Sequence, residues 1–204
     1  MIKLKFSPSF ADSNFKIKEE LSTMGKKTDS QLKFQKVLDE FLKEREWTDE
    51  YEIDNEEQTV SLNSAINICE GHSGRLIIEA SDRTDCVNVY IYYNQICKEA
   101  KLAEMAILLN GIHQRWQFGR FMVFEDGYIR WTHRVDFEGS KPTGLSLERM
   151  VTPGWTATER FANVISAVAL TKQSAADALK EYDEEQGADS NSGQSSEGGA
   201  PTEL

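Results

Sequence analysis

The side chains best equipped for chemistry are three cysteines, three histidines and a run of aromatic and basic residues between Gly111 and Trp131. Cys97 stands just ahead of a predicted helix, a position that can lower a thiol pKa. No base accompanies it at a recognisable spacing, so the activating neighbour of a nucleophile is missing. Cys69, Cys86 and Cys97 form no C-x-x-C pair and are too few for a disulfide framework or a zinc site. They are expected to be free thiols in the reducing cytoplasm. His72, His113 and His133 have no second ligand at the spacing of H-E-x-x-H or its relatives, so no metal is expected. His72 falls in a turn, His113 beside a helix stripe, and His133 on the core side of a strand. There is no G-x-S-x-G elbow, no phosphate loop and no dinucleotide fingerprint, so no cofactor is expected. Asp82, Asp85, Glu125 and Asp126 sit in or beside turns. Paired carboxylates can do acid–base work, but turns select Asp for its bonds to nearby backbone. The chain therefore reads as a non-enzyme.

The stretch GIHQRWQFGRFMVFEDGYIRW holds six aromatic residues among twenty-one, threaded with His113, Arg115, Arg120 and Arg130. Aromatics alternating with arginine on a sheet can stack bases and meet phosphates. Single-stranded nucleic acid on Arg120, Arg130 and Arg134 is thus one reading. Charge weighs against it. The net charge is −11, of which residues 184–204 carry −5 and the remainder −6. An acidic body repels a polyanion.

Hydrophobic periodicity supplies the elements that must hold these residues. SQLKFQKVLDEFLKERE, residues 30–46, places Phe34, Val37, Leu38, Phe41 and Leu42 on one helical stripe, with Asp29 or Ser30 as cap. The period then falls to two. Val60, Leu62, Ile66 and Ile68, then Leu76, Ile78 and Ala80, then Val87, Val89, Ile91 and Tyr93 mark three half-buried strands. Residues 98–116 are helical again, with Leu102, Met105, Ala106, Leu109, Ile112 and Trp116 as the main stripe. Ala103, Ile107 and Gly111 form a second, small-residue stripe. Residues 117–124 and 128–137 read as a hairpin around Glu125-Asp126-Gly127, because glycine accepts the positive φ of the turn. Gly119 is expected to bend its strand or admit a neighbouring side chain. LSLERMV reads as a short helix stopped at Thr152-Pro153-Gly154. Thr156 and Glu159 resemble a capping box ahead of a helix bearing Phe161, Val164, Ile165 and Val168. Ser174 restarts or continues helix through Ala178, Leu179 and Tyr182.

The fold class is therefore α+β, with about five antiparallel strands and helices packed on them in the order helix, three strands, helix, two strands, helices. Residues 1–28 are a loosely attached extension, with Ile2, Leu4 and Phe6 alternating like a short strand. Residues 29–183 are the domain. Residues 184–204 are an acidic Ser/Gly-rich tail without the apolar content to fold. No apolar run approaches the roughly 18 residues of a membrane span. The opening MIKLKFSPSF lacks the pattern of a secretory signal. No membrane association is expected, and the expected location is the cytoplasm.

One side of each strand gives the core. The other side is not consistently polar, since Ile77, Tyr90, Tyr92, Phe118, Met122 and Phe124 fall there. Apolar groups on a second sheet face are covered by the chain itself or meet a partner. Ala103, Ile107 and Gly111, being small, suit close approach of a second helix in a homodimer.

The run AILLNGIHQRWQFGRFMVFEDGYIRWTHRV, with the later LSLERM, the helix bearing Phe161 and SAADAL, resembles the YbjN-like family, whose fold is similar to that of type III secretion chaperones. The resemblance covers about residues 30–182. It implies a two-layer module without catalytic residues that binds protein partners as a homodimer. In the secretion chaperones, hydrophobic patches hold an extended client. Stress and regulatory roles are what the YbjN-like members imply. Residues 1–28 and 184–204 lie outside the pattern.

Overall fold

The computed structural model describes residues 31–192, and side chains as far as Gln186. The expected cap at Asp29 or Ser30, the Ile2–Phe6 strand and the end of the tail lie outside the described residues. The elements are α1 (Lys33–Glu44), β1 (Tyr51–Asp54), β2 (Thr59–Cys69), β3 (His72–Ser81), β4 (Cys86–Ile96), α2 (Leu102–Arg115), β5 (Arg120–Val123), β6 (Tyr128–Asp136), α3 (Gly144–Leu170) and α4 (Ala175–Ser192). The architecture is α+β, as expected. The six strands form one antiparallel sheet in the order β1-β2-β3-β4-β6-β5. The additional strand is β1. Its sequence, YEID, alternates Tyr51 and Ile53 with two acids, but over only four residues, three of them exposed, which is too short a run to mark a strand.

α1 forms because Phe34, Val37, Leu38, Phe41 and Leu42 recur at helical spacing, and all five are buried. Its N-cap residue is Leu32, whose side chain caps nothing. The first amides are instead satisfied from the β3–β4 turn. Asp82 accepts hydrogen bonds from Lys33 N at 2.5 Å and Phe34 N at 3.0 Å, while Lys33 Nζ pairs with Asp85. At the other end Arg45 meets Glu148 of α3 with two bonds of 2.6 Å, Nε to Oε2 and Nη2 to Oε1. The guanidinium lies within 6 Å of the rings of Phe41, Trp47 and Trp155. That bond holds the Glu148 carboxyl below its ordinary pKa.

The core stands on the side of the sheet that alternation marked. Val60, Leu62, Ile66, Ile68, Leu76, Ile78, Val87, Val89, Ile91, Phe121, Ile129 and Trp131 are buried with the apolar stripes of all four helices. On α2 the stripe is shifted: Leu108 is buried, whereas Ala106 is exposed. Trp131 is the largest fully buried side chain, and two glycines make room for it. A Cβ on Gly119 would lie 2.2 Å from Trp131 Cζ2, and one on Gly154 would lie 2.3 Å from Cζ3. Gly119 also has a φ of +66°, so it both bends the chain and admits the indole.

Two expectations about α3 are corrected. The helix does not stop at Pro153 but runs unbroken from Gly144 to Leu170. Proline removes one backbone donor from a helix interior. Burial on both sides of it, by Met150, Val151, Gly154, Ala157, Thr158 and Phe161, outweighs that loss. The capping box is Thr143 with Ser146, not Thr156 with Glu159, which lie inside the helix. α4 starts afresh at Ser174, whose hydroxyl accepts a bond from Asp177 N at 3.1 Å. It continues to Ser192, past the boundary at 184 that composition suggested. Arg115 to Asp183 and Arg160 to Gln186 tie its later turns to α2 and α3.

Candidate functional site on the second face of the sheet

Strand register fixes what lies opposite the core. Arg75, Tyr92, Arg130 and Met122 face one another across β3, β4, β6 and β5. Ile77, Tyr90, Thr132 and Arg120 form the next row across the same strands. With strands about 4.8 Å apart, each row spans roughly 15 Å. Glu79, Asn88 and Arg134 follow as a third row over β3, β4 and β6. Of the six residues expected on this face, Tyr90, Tyr92, Met122 and Phe124 are brought together around Arg130, and Ile77 lies beside Tyr90 on the neighbouring strand. None of the five belongs to the core cluster.

Arg130 organises the patch. Its guanidinium carbon lies 4.6 Å from the Tyr90 ring centroid, 5.5 Å from Tyr92 and 4.7 Å from Phe124. Nη1 donates to Tyr92 Oη at 2.9 Å, and Nη2 approaches Met122 Sδ at 3.8 Å. Nε is buried and has no hydrogen-bond partner. Burial raises the Tyr90 pKa, the Glu79 carboxylate adds to the rise, and Arg130 opposes it. Beside this cluster a groove of about 410 Å³ opens between Arg75, Ile77, Tyr92, Asn94, Ile96 and Tyr128. Ile96 and Tyr128 at its end are 46% and 43% exposed, and Met122 is 42% exposed.

Phe118 is placed differently. It precedes β5, lies outside any strand, and is 59% exposed with its ring edge-on to Trp116. Sequence alternation set it on the sheet face because it extended β5 back to residue 117, whereas Gly119 breaks the strand there. The α2 stripe is also divided. Ala103 and Ile107 are exposed, but Gly111 is buried under the chain's own α4, where an added Cβ would meet Leu179 Cδ1 at 2.3 Å. Gly111 therefore serves packing between α2 and α4, and close approach by a second copy is open only at Ala103 and Ile107. Arg120 and Arg134 are exposed, and Arg134 Nη2 lies 3.1 Å from Cys86 Sγ.

Cys97 and the three histidines lie away from this patch and have their own partners. Burial pushes the Cys97 thiol up, with Lys101 opposing it, so the helix that follows does not activate it. His113 Nε2 accepts the Phe121 amide at 2.8 Å. His133 stacks on Trp131 with ring centroids 5.8 Å apart. A polar cluster that no sequence spacing announced joins His72, Asn163, Ser166 and Gln95. Ser166 donates to Gln95 Oε1 at 2.7 Å and lies 3.3 Å from His72 Nδ1. These contacts tie α3 to the sheet. Among the described residues no group of three or more His, Cys, Asp or Glu is placed to hold a metal. No helix among them is long and apolar enough to cross a membrane.

No protein-family model matches the chain, and comparison with curated proteins gives no match. The chain is similar in part to a solved structure described as "Structure of the HopA1-SchA Chaperone-Effector Complex", with 16% identity over 64% of this chain and 92% of that one, at a TM-score of 0.43.

Proposed function

We propose that this chain is a non-enzymatic protein-binding module, an adaptor or chaperone-like regulator of the YbjN-like kind, and that its partner lies on the second face of the sheet. One observation carries this reading. Tyr90, Tyr92, Met122 and Phe124 gather around Arg130, with Ile77 beside Tyr90, and yet none of the five joins the core. Aromatic residues, methionine and arginine are the side chains enriched where proteins meet, and they dominate binding energy there. The proposal needs no cofactor. It places the protein in the cytoplasm, in keeping with three free cysteines. It includes a homodimer that uses Ala103 and Ile107 on α2.

Capture from the native host, comparing wild type with Tyr92→Ala and Met122→Asp, tests the reading. A protein held by wild type and lost from both variants supports it. The same set of proteins held by all three removes it. The second reading, a single-stranded nucleic-acid site, is favoured by Arg120, Arg130 and Arg134, which share one face and form no ion pair among the described residues. It is opposed by the net charge of −11 and by Arg130 lying against three of the rings that bases would stack on.

A further inference from the structure

Resting on that reading, we infer that the segment held on the second face is acidic, with a carboxylate that pairs with Arg130 and an apolar side chain that enters the adjoining groove. The protein contains its own precedent. Arg45 presents Nε and Nη2 side-on to both oxygens of Glu148, within a surround of Phe41, Trp47 and Trp155. Arg130 has the same kind of surround in Tyr90, Tyr92 and Phe124. No carboxylate among the described residues completes it. Of its five N–H donors, one meets a tyrosine hydroxyl, one a thioether, which is a weak acceptor, and the buried Nε meets nothing.

Charge on the face points the same way. The two rows around Arg130 hold Arg75, Arg120 and Arg130 and no acid. None of these arginines forms an ion pair among the described residues, whereas Arg45, Arg83 and Arg115 do. Glu79 lies in the third row with Arg134, and its charge acts on Tyr90. A cationic patch on a chain of net charge −11 selects a carboxylate locally, since charge elsewhere is screened beyond about 8–10 Å at physiological salt. The rings limit water around the guanidinium, which strengthens a charge-assisted pair. The groove beside it, bounded by Ile77, Ile96 and Tyr128, takes the neighbouring apolar group.

The test uses the full chain and two fluorescein-labelled octapeptides, one alternating leucine with glutamate and the other leucine with glutamine, read by anisotropy. The acidic peptide is expected to bind at least about tenfold more tightly, as a charged hydrogen-bonded pair warrants. That preference should vanish in Arg130→Gln and shrink in the exposed Arg120→Gln, with thermal melts confirming that each variant is folded. Equal binding of both peptides, weakened by Met122→Asp, overturns the carboxylate inference and leaves the protein-binding face standing. Binding of neither peptide overturns the inference. Oligo-dT bound in their place overturns the protein-binding reading as well.

Discussion

Arg45 and Arg130 show how far a single residue's role depends on what the fold sets beside it. Both are arginines among aromatic rings, but one meets a carboxylate of its own chain and the other meets none among the described residues. Sequence spacing revealed the apolar members of the second face, because strand alternation lists them directly. It did not reveal Arg130 as their centre, since Tyr90, Tyr92 and Met122 meet it only through strand register. The histidines give a residue-scale prediction. Burial lowers the pKa of His113, with help from the Arg120 charge, and burial alone lowers that of His133. A base whose folded pKa lies below its unfolded value, near 6.5, stabilises the fold while neutral and loses that contribution as pH falls through 6.5. The Phe121 amide also requires an unprotonated His113 Nε2. The melting temperature should therefore fall between pH 7 and pH 5.5, and fall less in His113→Gln. An unchanged melting temperature over that range would show that neither ring is held neutral by the fold.

At the scale of elements, alternation located β2, β3, β4 and β6, and helical spacing located α1 and α2. What stayed hidden were interactions joining distant positions. The α1 N-terminus is capped by Asp82, 49 positions away from Lys33, a partner that no local spacing names. α3 crosses Pro153 because tertiary burial overrides a local stop signal. Asp82→Ala should cost about 1 kcal/mol, within the usual 0.5–2 for a lost cap, and Asp82→Asn clearly less. Urea unfolding of the two variants measures this. Equal stability of Asp82→Ala and wild type would mean that water replaces the carboxylate at no cost.

Across the whole molecule, the four helices bury their apolar stripes with one side of the sheet, and the opposite side carries a cationic, aromatic patch. Ile107, 59% exposed on α2, is a large open apolar group of the expected dimer stripe. A homodimer there predicts twice the monomer mass in solution for wild type and a monomer for Ile107→Asp. A monomeric wild type would remove the dimer, and a dimeric Ile107→Asp would move it elsewhere. The central claim is that partners sit on the second face, and site-specific crosslinking tests it most directly. A photoactivatable residue is placed at Met122 on that face or at Thr156, exposed on α3, and irradiated in the native host. The account predicts discrete protein adducts from position 122 and none from position 156. Adducts from 156 with none from 122 would contradict it.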